Sequence, residues 1–239
     1  MVRISEYRII KELEKIDTPT ISNIVATYPK SELCLKLYDP WYGQWYTDAT
    51  IKCMFPELGP RVGYVATVVF CEKKEENIGI DKFTLLEHIY STKKPVILVA
   101  EQQFPPELAN RVGLFGEMMT TQYKTLGVVG VVTNGPIRDI EAIRKLKVQY
   151  FATGVTAAHG DFIIKDVGVP VTVGGMNVKP GDMVHMDING VVKFPPDKMR
   201  EILERAKKLL KQEKEKAKIY KNKKFYLKKF KEIKKEIKK

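Results

Sequence analysis

Three charged side chains follow two neighbouring apolar runs of this chain. Glu117 opens a predicted helix at 116–126, and Arg138 and Asp139 come directly after the turn at 134–136. Carboxylates are ligands for hard divalent cations, and a guanidinium grips a carboxylate through two parallel hydrogen bonds. Together the three groups could hold a divalent cation and an anionic substrate.

Each residue of this set suits a separate task. Asp139 can ligate Mg²⁺ or Mn²⁺ with waters completing the shell, and Arg138 can bind a carboxylate or a developing oxyanion. Glu117 can order or deprotonate a water. The free backbone amides that begin a helix attract a substrate anion, and here they belong to Gly116, Glu117, Met118 and Met119. On spacing alone, a surface ion pair of Arg138 with Asp139 and a favourable first-turn acid explain the pattern equally well.

The flanking elements decide whether these residues can meet. The runs 95–100 and 128–133 have the continuous apolar character of buried parallel strands. A right-handed crossover through the helix at 116–126 would make them parallel, so both strands end at one edge of the sheet. Open α/β sheets bind ligands at that edge, and we therefore expect Glu117 beside Arg138 and Asp139.

The rest of the pattern predicts an α/β fold. Helices are predicted at 5–16, from near Thr20 or Ser22, at 82–91 and at 139–146, and further strands at 64–70, 150–153, 169–173, 183–187 and 190–194. The segment 28–60 is rich in aromatic residues and irregular. It predicts either a packed loop or an aromatic patch that lines a pocket or a subunit interface.

The basic charge of the chain is concentrated at its C-terminal end. The formal net charge is +12, yet residues 198–239 hold 19 of the 41 Lys and Arg and only 6 of the 29 Asp and Glu. We expect one α/β domain at 1–196 and a Lys-rich helical extension at 197–239. An apolar stripe of that extension should dock on the body or on a neighbouring subunit. The stripe consists of Ile202, Leu203, Ala206, Leu209 and Leu210. The Lys-rich end at 221–239 is expected either to be an amphipathic helix that packs its apolar face on the oligomer or to bind RNA or an acidic membrane.

Neither a membrane span nor an export signal is predicted. No apolar run approaches the ~18 residues that cross a bilayer, and the first residues alternate charged and apolar side chains. A cytoplasmic location follows as the expectation. Three cysteines without close spacing favour free thiols over a disulfide framework or a zinc site.

Several motifs in a fixed order carry a resemblance to a known family. They are IDTPTISNIV at 16–25, GEMMTTQYKTLGVVGVVTNGPIRDIEAI at 116–143, YFATGVT at 150–156 and GVPVTVGGMNVKPGDMVHMDINGVVKFP at 168–195. The chain resembles the family of the regulator of ribonuclease activity A (RraA) and 4-hydroxy-4-methyl-2-oxoglutarate aldolase. Some members of that family were long labelled demethylmenaquinone methyltransferase.

The resemblance implies a swivelling β/β/α fold, like the phosphohistidine domain, in a homotrimer or hexamer with the site between subunits. It implies that the stretch from Gly116 to Met119 binds the pyruvate-like end of the substrate, that Arg138 binds substrate and that Asp139 ligates the metal. Glu117 stands where the aldolase branch usually carries Asp.

The implied chemistry is metal-assisted cleavage of a C–C bond in a 2-oxo acid to give pyruvate. Arg138 and the cation would stabilise the enolate. A water held by Glu117 would take the hydroxyl proton in an aldol cleavage, whereas oxaloacetate decarboxylation needs no such base. The alternative is a non-catalytic regulator that binds RNA or an RNA-processing protein, for which the basic tail is the support.

Overall fold

A computed structural model describes residues 5–28, 31–76, 78–222, 227–229 and 231–232 of the chain. Most of the described strands form one eight-stranded mixed sheet, and a two-stranded hairpin stands apart from it. The strands are β1 (Lys52–Cys53), β2 (Arg61–Glu72), β3 (Val96–Gln103), β4 (Val128–Thr133), β5 (Gln149–Ala152), β6 (Phe162–Val167), β7 (Val171–Val173), β8 (Met176–Val178), β9 (Met183–Asp187) and β10 (Gly190–Phe194).

Seven α-helices accompany these strands among the described residues up to 222, and the described residues 227–229 and 231–232 are also helical. The seven helices are α1 (Glu6–Leu13), α2 (Thr18–Val25), α3 (Lys82–Ser91), α4 (Pro106–Ala109), α5 (Glu117–Thr125), α6 (Ile140–Leu146) and α7 (Met199–Lys221). Two short 3₁₀ turns, Pro56–Leu58 and Pro196–Lys198, complete the set.

The parallel centre of the sheet consists of β2, β3, β4 and β5. Neighbours in this row pair in parallel, and β1 and β9 close it with antiparallel pairings. The connections through α3, α5 and α6 make this possible, because parallel strands need a crossover. β3 and β4 therefore end at one edge, as their sequence predicts. The mixed sheet with a long C-terminal helix confirms the predicted α/β class.

Several elements differ from the sequence prediction, and the short elements β1, β8 and α4 were not predicted. α2 begins at Thr18 rather than near Thr20 or Ser22, because the Asp17 carboxylate caps the helix by accepting a hydrogen bond from the Thr20 amide. β6 was not predicted, since its alternation of apolar and charged residues is weak. The strand expected at 169–173 begins at Val171, because Gly168 turns the chain with a φ of 71°.

The first half of α7 packs on the body through the predicted stripe. Ile202, Leu203 and Ala206 are buried where α7 packs on α1 and α2, and Leu209 packs beside them, whereas Leu210 is 37% exposed. The Arg205 guanidinium anchors the helix by donating to the backbone carbonyls of residues 32–34. From residue 210 to 221 every side chain is exposed. Part of the Lys-rich stretch beyond α7 falls outside the described residues.

None of the helices in the described ranges has the length and apolar content that crossing a bilayer requires. The proposed division into a domain at 1–196 and an extension at 197–239 stays a prediction.

Candidate active site

Two loops extend the parallel sheet beyond the ends of its strands and meet there. Ile137 forms isolated parallel bridges with Phe115 on one side and with Val155 on the other. The Arg138 amide donates to the Phe115 carbonyl over 2.9 Å, and the Ile137 amide donates to the Gly154 carbonyl over 2.9 Å. These bonds hold the start of α5 directly against the segment that carries Arg138 and Asp139.

The side chain of Asp139 reaches across this junction to the start of α5. Its Oδ2 atom accepts a hydrogen bond from the Glu117 amide over 3.1 Å and lies 3.7 Å from Nε of Arg138. The backbone of Asp139 is left-handed, with φ 56° and ψ 38°, and Asp is one of the few residues other than Gly that tolerate this conformation. The three predicted charged residues therefore lie together.

Gly116 is the N-cap of α5 and supplies the space that this contact needs. A Cβ atom added there would lie 2.5 Å from Oδ2 of Asp139 and 3.1 Å from Nε of Arg138. The φ of Gly116 is −130°, which any residue can adopt. Glycine is required here because the side chains of Asp139 and Arg138 approach this position closely.

An open cleft of about 670 Å³ lies in front of these residues. Its acidic and basic lining consists of Glu117, Asp139, Glu141 and Arg138, so three carboxylates face one guanidinium. The opposite wall is the segment from Val155 to Ala157, which the sequence did not mark as part of a site. The negative charge of such a cleft attracts cations. The cleft favours an anionic substrate only after a bound cation has added positive charge.

The donor set fits a hard divalent cation that keeps most of its waters. Oδ1 of Asp139 accepts no hydrogen bond from any residue that the structure describes, and the Asp139 side chain is 40% exposed. Within the same residues no cluster of three or more His, Cys, Asp or Glu side chains is arranged to enclose a metal. A single carboxylate facing solvent suits Mg²⁺ or Mn²⁺, which usually bind through one or two carboxylates plus water and substrate oxygens.

The residues from 116 to 119, which the sequence predicts to bind a substrate anion together, have different surroundings in the structure. The Glu117 amide, expected to be free for a substrate anion, is engaged by Asp139. The Met118 side chain is 73% exposed beside the cleft residue Glu117. The Met119 side chain instead lines a second, largely apolar cleft with Phe70 and Tyr123, so its side chain points away from Asp139.

A buried pair of hydroxyl groups lies beneath the start of α5. Oγ1 of Thr120 donates to the Gly116 carbonyl over 2.7 Å and lies 2.7 Å from the Tyr150 hydroxyl. Both side chains are fully buried, and burial raises the pKa of the Tyr150 phenol, so it stays protonated. Sequence analysis missed both residues. The available signal was a Thr four residues after the N-cap, where its hydroxyl can bond back to the N-cap carbonyl.

The three histidines lie outside this constellation. His159 is exposed and contacts the carbonyl of Gly160 through its ring nitrogen. His185 is fully buried in β9, where Nδ1 lies 2.9 Å from the Thr18 hydroxyl and Nε2 lies 3.1 Å from the Leu13 carbonyl. These contacts give His185 a structural role and leave His159 at a solvated loop position.

Comparisons with known proteins agree with this architecture. The family model RraA-like, described as Aldolase/RraA, matches residues 36–193. A protein of Azotobacter vinelandii, provisionally named 4-hydroxy-4-methyl-2-oxoglutarate aldolase, is 38% identical over 156 residues, which are 63% of this chain and 89% of the relative.

A protein of Halalkalibacterium halodurans with the same provisional name is 31% identical over 129 residues, 54% of this chain. The chain spans 60% of that relative's length. The solved structure of Streptomyces coelicolor RraAS2 is described as an unusual member of the RNase ES inhibitor RraA protein family. The two structures superpose with a TM-score of 0.66 at 24% sequence identity. The superposed region covers 87% of this chain and 96% of the Streptomyces chain. That similarity shows a shared fold.

Proposed function

The chain belongs to the RraA-like family, and from that premise we propose that it is a divalent-metal-dependent lyase that cleaves a C–C bond of a 2-oxo acid to give pyruvate. The substrate would be a 4-hydroxy-2-oxo acid, oxaloacetate or both. The names of the relatives support the aldolase activity. The observation that carries the proposal is the Asp139 carboxylate, held by the Glu117 amide beside Arg138 with its second oxygen facing an open cleft.

Arg138 is the group best placed to bind the substrate. Its side chain is 35% exposed, and within the described part of the chain its one ionic partner is Asp139, through Nε. The terminal amino groups are therefore available for two parallel hydrogen bonds to a carboxylate or to an enolate oxygen. This is the positive charge that the protein itself contributes to a cleft with three carboxylates.

The bound cation would supply a Lewis acid that polarises the 2-oxo group, and Asp139 is the residue that would hold it. Asp139 is suited to this because one oxygen is fixed by a backbone amide while the other is free. A carboxylate restrained at one oxygen loses less conformational entropy when it binds a ligand.

In the proposed aldol cleavage, Glu117 and Arg138 have separate roles. Glu117, acting through a water, removes the proton of the C4 hydroxyl, and C4 becomes a carbonyl as the C3–C4 bond breaks. The electron pair enters the C2–C3 enolate, which Arg138 stabilises until C3 takes up a proton and pyruvate is formed. In oxaloacetate the same bond breaks with loss of CO₂, so the enolate forms without the hydroxyl base.

We also propose that a neighbouring copy of the chain completes the cleft, as a homotrimer or hexamer. The cleft is open to solvent. Val155, which lines it, is 52% exposed, and Met118, the neighbour of the lining residue Glu117 in the chain, is 73% exposed. Covering them would remove water from the reacting groups and strengthen their electrostatic interactions. Sedimentation analysis of the purified chain tests this assembly, and a stable monomer would contradict it.

Pyruvate release by the purified full chain tests the proposed function. Oxaloacetate and 4-hydroxy-4-methyl-2-oxoglutarate are supplied with Mg²⁺ or Mn²⁺, and pyruvate is followed with lactate dehydrogenase against a metal-only blank. We expect turnover that EDTA abolishes and that Asp139→Ala abolishes. Asp197→Ala is the matched control, because Asp197 is an aspartate with a 72% exposed side chain in the turn before α7. Full activity in EDTA or in Asp139→Ala would contradict the proposal.

A further inference from the structure

We propose that Thr120 and Tyr150 are positioning residues that orient the peptide group between Gly116 and Glu117 for its contact with Asp139. This inference deepens the proposed function and rests on it for its link to turnover. The carbonyl of this peptide belongs to Gly116 and its N–H to Glu117. Because a peptide group is planar, anchoring the oxygen on one side sets the direction of the N–H on the other.

The anchoring side is formed by Thr120. The Gly116 carbonyl accepts two hydrogen bonds from this one residue, from its amide over 3.1 Å and from its hydroxyl over 2.7 Å. The opposite side is formed by Asp139, whose Oδ2 accepts the Glu117 N–H over 3.1 Å. The peptide is therefore held at both ends, from the core by Thr120 and from the cleft by Asp139.

Tyr150 fixes the direction of the Thr120 hydroxyl. A threonine hydroxyl has one proton, and a carbonyl can only accept, so the Thr120 proton points to Gly116. The Tyr150 hydroxyl must then donate to Oγ1 of Thr120 across their 2.7 Å contact. The resulting hydrogen-bond relay runs from the Tyr150 phenol through Thr120 to the Gly116 carbonyl. It polarises this peptide group and so makes the Glu117 N–H a stronger hydrogen-bond donor.

Ring packing holds the Tyr150 hydroxyl in this hydrogen-bond relay. The Tyr150 ring packs edge-on against Phe115 at 5.9 Å and against Phe55 at 6.5 Å between centroids. Tyr150 lies in β5 and Thr120 in α5, so the hydrogen-bond relay connects the sheet to the helix that begins the site.

Thr121 provides a matched control within the same helix. Its hydroxyl also donates to the carbonyl four residues earlier, that of Glu117, over 2.9 Å, but Thr121 is exposed and contacts no phenol. Thr120→Val and Thr121→Val therefore make the same chemical change at neighbouring positions. Thr120→Ser keeps the hydroxyl, and Thr120→Val combined with Tyr150→Phe removes both hydroxyls, so that no buried donor is left unpaired.

Amide hydrogen exchange at Glu117, followed by NMR in the metal-free full chain, tests the inference without requiring activity. We expect Thr120→Val and the double variant to exchange this amide about tenfold faster than wild type, as loss of one hydrogen bond implies. Thr120→Ser and Thr121→Val should remain within about twofold of wild type. Equal exchange in Thr120→Val and Thr121→Val, in proteins that both fold, would overturn the inference.

Turnover then connects the hydrogen-bond relay from Tyr150 through Thr120 to Gly116 with the reaction. With oxaloacetate, kcat should fall about tenfold in the double variant and recover in Thr120→Ser, while KM changes less than kcat. If wild type releases no pyruvate but the exchange pattern holds, the proposed reaction fails and the relay stands. If wild type is active and the double variant has the wild-type kcat, the relay has no role in catalysis and the inference fails.

Discussion

The Glu117 amide donates to Oδ2 of Asp139 over 3.1 Å, which joins the first residue of α5 to the residue that precedes α6. Through this bond, a helix N-terminus that could bind a substrate anion instead orients a side chain of the protein. The free oxygen of Asp139 faces the cleft beside Arg138. This arrangement makes three consequences measurable, besides the tests given above, and a fourth prediction concerns the buried His185 of β9.

Gly116→Ala should impair catalysis with little effect on folding. The added Cβ would lie 2.5 Å from Oδ2 of Asp139, so the carboxylate must move away from the Glu117 amide. Misplacement of a catalytic group by ~1 Å costs about 100-fold in rate, and we expect kcat/KM to fall by about that factor. Steady-state kinetics with oxaloacetate measures the effect. Gly154→Ala is the control, because a Cβ there meets no atom within 4 Å.

Asp139→Gly should be more stable than Asp139→Ala, although both lack the carboxylate. Residue 139 has φ 56°, and alanine in this conformation costs about 1–2 kcal/mol relative to glycine. Urea unfolding of the two variants should show a free-energy difference of about 1 kcal/mol. Lys147→Gly, at a second position with φ 57°, should stabilise the chain for the same reason. Equal stability of the two Asp139 variants would mean that the backbone relaxes.

Glu117→Gln should separate the two reactions of the proposed site. The side-chain amide of glutamine cannot act as a base, so aldol cleavage of a 4-hydroxy-2-oxo acid should slow by about 100-fold. Oxaloacetate decarboxylation needs no hydroxyl base and should change by only a few fold. Parallel pyruvate assays on both substrates give the comparison, and Glu141→Gln, in the same cleft, serves as control. A similar loss on both substrates would assign Glu117 to binding and not to proton transfer.

Acidification should destabilise the chain below about pH 6.5 through His185. Burial lowers the pKa of His185 in the native state, and the hydrogen bond to the Leu13 carbonyl and the nearby carboxylates of Asp187 and Asp17 only partly oppose this. The unfolded chain therefore binds a proton between the unfolded pKa of about 6.5 and the lower native value, so stability is lost as pH falls through this window.

Urea unfolding at pH 7.5 and pH 5.5 measures this loss. Burial also lowers the pKa of His88, so its protonation likewise reduces the free energy of unfolding as the pH falls. His185→Gln should therefore reduce the difference between the two pH values, and His88→Gln should reduce it further. His159→Gln, at an exposed position, is the control. An unchanged pH dependence in His185→Gln would assign the effect to other groups.

Local sequence was sufficient for the elements that deliver the site. The apolar runs before Glu117 and Arg138 predict parallel strands, and a crossover helix between such strands places their ends at one edge. Both features appear in β3, α5 and β4. They are predictable because apolar periodicity and the geometry of crossovers depend on residues that are close in the chain.

Tertiary packing decided how the site residues contact one another. The sequence placed Asp139 near Glu117 but could not show that the Glu117 amide is bonded to it, since that contact depends on the bridges of Ile137 to Phe115 and Val155. Thr120 and Tyr150 are 30 residues apart and meet only because α5 packs on β5. Hydrogen bonds between distant residues depend on sub-ångström packing of whole elements, and no local pattern in the chain encodes them.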